Sequence, residues 1–157
     1  MKPSRPAHPF GLGVPHRRKR ALYAAFAASF VTGILWLVFH YFLMRQGEFG
    51  AEPHPLENWW LRLHGASAFV MLWFIGVLWG THARPALAQA RWRVSGIAIL
   101  TLLSLLAASG YLLYYAGDDA WHDGARLVHW VLGLSLIVPL SIHLIGVRRA
   151  RRNRAPR

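Results

Sequence analysis

The stretch Gly124-Ala-Arg-Leu-Val-His129-Trp-Val-Leu-Gly133-Leu-Ser-Leu-Ile-Val-Pro139-Leu-Ser-Ile-His143-Leu-Ile-Gly146-Val147 decides the fold. It is long enough to cross a hydrocarbon core of about 30 Å as an α-helix, yet it carries two imidazoles fourteen residues apart. Fourteen residues fall only about 40° short of four turns, so His129 and His143 share a face. A second apolar stretch holds His64 and His82, eighteen residues apart, which is about five whole turns. Imidazole in hydrocarbon costs free energy unless it is paired, coordinated or turned to an internal cavity, so four such residues mark a function.

Two further stretches complete the set. The apolar runs are Ala21 to Met44, Trp60 to Thr81, Val94 to Tyr115 and about Gly124 to Val147, in a chain of 157 residues that is 55% hydrophobic with eight Trp. Such a chain is too apolar for an ordinary soluble domain. The expectation is an all-α integral membrane protein, a four-helix bundle over residues 21–147 flanked by basic tails at 1–20 and 148–157. The first run follows a basic segment, as a signal peptide does. It is longer than a normal signal core and no small-x-small cleavage site precedes Arg45, so an uncleaved anchor is expected.

A net charge of +12 suggests nucleic acid until its distribution is inspected. Six Lys/Arg lie before Ala21, six Arg follow Val147, and Arg84, Arg91 and Arg93 fill the middle connection. All six acids, Glu48, Glu52, Glu57, Asp118, Asp119 and Asp123, fall in the other two connections. This is the positive-inside pattern of a multi-pass membrane protein with both termini and the middle connection cytoplasmic, and it removes the nucleic-acid reading. The basic clusters suit anionic head groups of the bilayer. Trp59, Trp60, Tyr111, Tyr114, Tyr115 and Trp121 gather toward the outer ends and Trp79 and Trp92 toward the inner, as interfacial anchors do. The outer loop Arg45 to Trp59, with Gly47, Gly50, Pro53 and Pro55, reads as irregular. Pro139 removes a backbone hydrogen bond to Ser135 and predicts a kink one turn before His143.

In this topology the second and fourth runs are parallel, which sets His64 beside His129 near the outer face and His82 beside His143 near the inner. A haem standing along the membrane normal would take one axial His from each run at each level. The rises, about 21 Å for fourteen residues and about 27 Å for eighteen, differ by about 6 Å, so His82 fits less well than the other three. Gly65, Ala68, Gly133 and Gly146 leave room for a flat macrocycle or for helix packing. Arg62 and Arg126 are candidates for haem propionates or for snorkelling. His40 is expected at the outer interface and His54 and His122 toward solvent; His16 is the alternative inner ligand. With no cysteine, disulfides, Cys-held iron-sulfur clusters and covalent c-type haem are excluded.

The text His129-Trp130-Val131-Leu132-Gly133 continuing to Ser141-Ile142-His143-Leu144-Ile145-Gly146, with Ser109-Gly110-Tyr111 before it, resembles the bacterial membrane cytochrome b family. That family includes the haem-bearing membrane subunits of formate dehydrogenases and nickel-iron hydrogenases. The resemblance spans the second to fourth runs. It implies non-covalent b haems, one or two, with His129, His143 and His64 as ligands, and electron exchange with quinone and a partner redox subunit. The family's remaining inner ligand comes from the first helix, which has no His at that end here. His82 replaces it, His16 folds back to it, or the inner haem is missing. The expected role is a non-catalytic electron-transfer subunit, its partner a periplasmic redox subunit or soluble cytochrome. The competing readings are a haem-free assembly factor or structural subunit, and a transition-metal transporter or chaperone. The last is disfavoured by the absence of Cys, of intramembrane carboxylates and of a Met-rich stretch.

Overall fold

The computed structural model of the chain describes residues 16–48, 50–88 and 94–153. The expected tail segments 1–15 and 154–157, and Arg91, Trp92 and Arg93 of the middle connection, lie outside the described residues.

Helix α1 (His16–Phe42) leads into two short strands, β1 (Arg45–Gly47) and β2 (Gly50–Glu52), and then α2 (Glu57–Leu78). Helix α2 passes into a π-helical turn, Trp79–Ala83, and a short α3 (Arg84–Ala88). Helix α4 (Val94–Tyr115) follows, then α5 (Asp119–Ser135) and α6 (Ile137–Arg152), which together form one long rod interrupted at Leu136. Four of these helical rods are long and apolar enough to cross a membrane: His16–Phe42, Glu57–Ala86, Val94–Tyr115 and Asp119–Arg149.

Three expectations are corrected. The basic residues Arg17–Arg20 are not tail but the first turn of α1, and Arg148, Arg149 and Arg152 continue α6. A helix already paying its nucleation cost in the apolar run extends through Arg and Lys, both good helix formers. The outer loop is not wholly irregular either. Strands β1 and β2 pair antiparallel with Arg45 opposite Glu52, joined through a turn that Gly50 closes at φ +119°. At the other outer connection Asp118 caps α5, its carboxylate accepting from the amides of Ala120 (3.0 Å) and Trp121 (3.1 Å).

Pro139 interrupts the last rod as expected. The break falls at Leu136, whose amide still bonds Leu132 and whose carbonyl accepts from Leu140 at 3.2 Å, while Ser135 loses its i+4 donor.

The helices pack as two antiparallel hairpins. Helices α1 and α2 share one extensive interface, and α4 lies along α5 and α6; between the hairpins the packing is sparse, with α1 touching α5. Among the described residues the buried apolar side chains are Ala25, Phe74, Ala125 and Leu136, alongside a buried Ser109. Large apolar side chains such as Phe69, Trp73, Leu127 and Ile142 face outward. Few side chains are enclosed and the exterior is apolar, the reverse of a water-soluble surface.

Register follows from the cross-helix contacts. Ser29 meets Ser67 and His40 meets Glu57, while Ser95 meets His143 and Ser109 meets His129. These run each hairpin antiparallel, and the contacts of His64 with His129 and of His82 with His143 set α2 parallel to the α5–α6 rod. Every described Lys and Arg of the chain's two basic ends, with Arg84, then falls at one end of the bundle and all six acids at the other.

Candidate functional site

The seam between the hairpins is where the four histidines meet. The rings of His64 and His129 lie 6.0 Å apart, centre to centre, at 89° to one another. The rings of His82 and His143 repeat the arrangement at 6.3 Å and 89°. The pairing that sequence spacing assigns is thus the pairing present, including His82, the residue that fitted least well. The π-helical turn that carries His82 packs more residues into each turn than an α-helix and takes up part of the rise mismatch. His16 heads α1 on an exposed surface.

Each of three rings is held from its own hairpin. His64 Nδ1 stands 2.9 Å from the carbonyl oxygen of Ser29 and 3.4 Å from Thr32 Oγ1. A carbonyl only accepts, so Nδ1 carries the proton and the Nε2 lone pair is left for another partner. Ser29 is itself tied down: its hydroxyl donates to Ser67 Oγ, which donates to the His64 carbonyl at 2.8 Å. His129 Nδ1 lies 3.0 Å from Ser109 Oγ, whose own proton goes to the Leu106 carbonyl at 3.2 Å. That again makes the imidazole the donor at Nδ1. His143 Nδ1 lies 3.1 Å from Ser95 Oγ.

A glycine stands against each of these rings. A Cβ placed on Gly33 would lie 3.1 Å from His64 Cε1, on Gly110 3.3 Å from His129 Cε1, and on Gly96 3.5 Å from His143 Cε1. The first two are tighter than side chains normally tolerate. Thr32-Gly33, Ser95-Gly96 and Ser109-Gly110 are therefore one device used three times: the hydroxyl residue lies beside the ring nitrogen and the glycine lets the ring approach the neighbouring helix. The sequence held the signal, since Ser95 and Ser109 are fourteen residues apart on α4 just as His129 and His143 are on the partner rod. The glycines singled out from sequence do other work. Gly133 faces Leu106 Cδ2 of α4 at 3.8 Å from a built Cβ, and Gly65 faces Tyr114 Oη at 3.9 Å.

The remaining candidates are placed apart from the rings' nitrogen atoms. Arg62 is exposed, its guanidinium 5.3 Å from the centre of the Trp59 ring, and Arg126 pairs with Asp123 at 3.2 Å. Both lie at the acidic end, one turn or less from the His64–His129 level. His40 is not simply interfacial: its Nδ1 lies 2.7 Å from Glu57 Oε1, with Trp36 stacked on the ring. His54 accepts from the Leu56 amide and packs edge-on to Phe39.

The donor set limits what the pairs can hold. No group of three or more His, Cys, Asp or Glu with metal-site geometry exists among the described residues. A bare zinc or similar ion, which wants about four protein or water ligands, is poorly served. An iron that brings four in-plane nitrogens of its own needs two more, on opposite sides. With a metal–imidazole bond of about 2 Å and a nitrogen about 1.1 Å from its ring centre, two such rings stand about 6 Å apart. Both pairs have that separation. No protein-family model, curated protein or solved structure matches this chain.

Proposed function

We propose that this chain is a membrane-embedded b-type cytochrome. It binds a haem at each imidazole pair and relays electrons between a quinone pool and a partner redox protein. The apolar exterior of the four rods calls for a bilayer and the charge partition for both termini on its cytoplasmic side, while the assignment to a bacterial inner membrane follows from the resemblance to the membrane cytochromes b. The observation that carries the reading is the pair of two-imidazole sites, each at the spacing of a doubly ligated iron and each with at least one Nδ1 engaged behind it.

A b haem supplies one-electron exchange between ferric and ferrous iron. The chain's part is to hold and tune it. His64 with His129, and His82 with His143, would hold the iron. The Ser29 carbonyl and the Ser109 hydroxyl fix tautomer and ring orientation, and by accepting from Nδ1 they make each imidazole a stronger donor. Arg62 and Arg126 lie at the level where propionates would meet the acidic-end interface, and either can release its present partner for a carboxylate. The levels are roughly 21 Å apart along the α5–α6 rod, so the two sites span the apolar layer. The role is that of an electron-transfer subunit, with the acidic end turned to a periplasmic partner or soluble cytochrome.

The alternative is a haem-free assembly factor or structural subunit, in which the perpendicular rings are edge-to-face contacts between hairpins; the 89° geometry serves that role as well. A reduced-minus-oxidised visible spectrum of the detergent-purified chain, with pyridine haemochrome quantitation, separates the two. The expected result is a six-coordinate b-type spectrum with about two haems per chain. No haem after expression with adequate haem supply rejects the cytochrome.

A further inference from the structure

The two imidazole pairs are alike in spacing and unlike in how their members are held. At the acidic end both rings are seated: His64 by Ser29, Thr32 and Gly33, and His129 by Ser109 and Gly110. At the basic end only His143 has such a seat, from Ser95 and Gly96. His82 is exposed, with no hydrogen bond and no glycine against its ring among the described residues. It rides on the π-helical turn, a local geometry that a helix can shift by one residue and that recurs at functional sites.

A ligand whose ring is already fixed loses little freedom on coordinating, while one that must be ordered gives up part of the bond's free energy. Water at an exposed ring nitrogen satisfies it without fixing its direction. We infer that His82 is the displaceable axial ligand. The basic-end site therefore exchanges it for a small neutral diatomic ligand, while the acidic-end site stays closed by two seated imidazoles. This inference rests on the cytochrome reading. The exchange would break the bond from ferrous iron to the His82 nitrogen and form one to the diatomic's carbon or nitrogen; no electron leaves or enters, and the freed imidazole stays on its exposed π-helical turn.

The probe is carbon monoxide on the dithionite-reduced, haem-loaded full chain, followed by Soret difference spectra and by rate. Carbon monoxide is expected to bind about half of the haem. The rate should level off at high carbon monoxide, because loss of His82 becomes limiting, and in His82→Ala it should rise at least tenfold and no longer level off. His82→Met, which keeps a sixth donor, is the companion variant should the alanine form lose haem; it should alter the spectrum of the reactive half alone. The inference is overturned by no binding to the wild type, by binding to all of the haem, by a rate that His82→Ala leaves unchanged, or by a His82→Met change in the unreactive half. A chain purified without haem rejects the cytochrome reading itself, whereas those four outcomes reject only the inequality of the two sites.

Discussion

At the residue scale, the histidine faces are readable in the sequence and their supports only in part. Periodicity puts His64 and His82 on one line and His129 and His143 on another, because a fixed rotation per residue is all that reading requires. What holds each ring comes from a different helix: on α4 the fourteen-residue spacing of Ser95 and Ser109 repeats that of His129 and His143, whereas on α1 no such spacing marks the support of His64. Gly33 is the clearest case: nothing around it in sequence marks it, and only the antiparallel packing of α1 on α2 brings it against His64 Cε1. The supports carry a testable sign. Ser109 accepts from the His129 Nδ1 proton, which pushes electron density toward the ring's other nitrogen and, with the proposed haem bound there, would favour its ferric state. Ser109→Ala should raise the midpoint potential of one haem and leave the other unmoved. One hydrogen bond is worth about 1 kcal/mol net, so the rise should not exceed about 40 mV for a one-electron couple. A potentiometric titration resolves the two components, and Ser109→Thr, which restores the hydroxyl, should reverse the shift.

At the scale of elements, length and apolarity located the four rods, and Pro139 located the break. The ends were misjudged because charge in sequence looks like a boundary, whereas a helix continues through Arg and Lys until something stops it. The π-helical turn at Trp79–Ala83 has no sequence signature; it is a response to matching eighteen residues on one rod to fourteen on the other. Both irregularities serve registration. In an unbroken helix His143 would sit about 40° off the line of His129, and the rod is interrupted at Leu136, between the two. Pro139→Ala lets the residue 139 amide bond Ser135 and straightens the rod. The expected outcome is loss of the basic-end haem, so that haemochrome quantitation falls by about half while the acidic-end component keeps its spectrum. Equal loss from both sites would show that the proline steadies the whole bundle instead of one level.

At the scale of the molecule, the charge partition is the most legible feature of the sequence, and the structure's register gathers the described charges onto opposite ends of one bundle. It predicts orientation. Alkaline phosphatase fused after Glu48 or within 117–119 should be active, and fused after Arg152 inactive, with a fluorescent-protein fusion at Arg152 giving the complementary result. Activity at Arg152 would reverse the topology and with it the side from which the proposed soluble partner would dock. The sparse packing between the hairpins has a consequence for biogenesis. Nearly all close packing joins sequence neighbours, so α1 with α2 can be completed while α4 is still being synthesised. Closure of the seam is then a late and separate event, and until it happens the gap opens sideways into lipid. A flat, greasy guest dissolved in the membrane can slide in edge-first between two finished halves, without a channel from water and without either half unfolding.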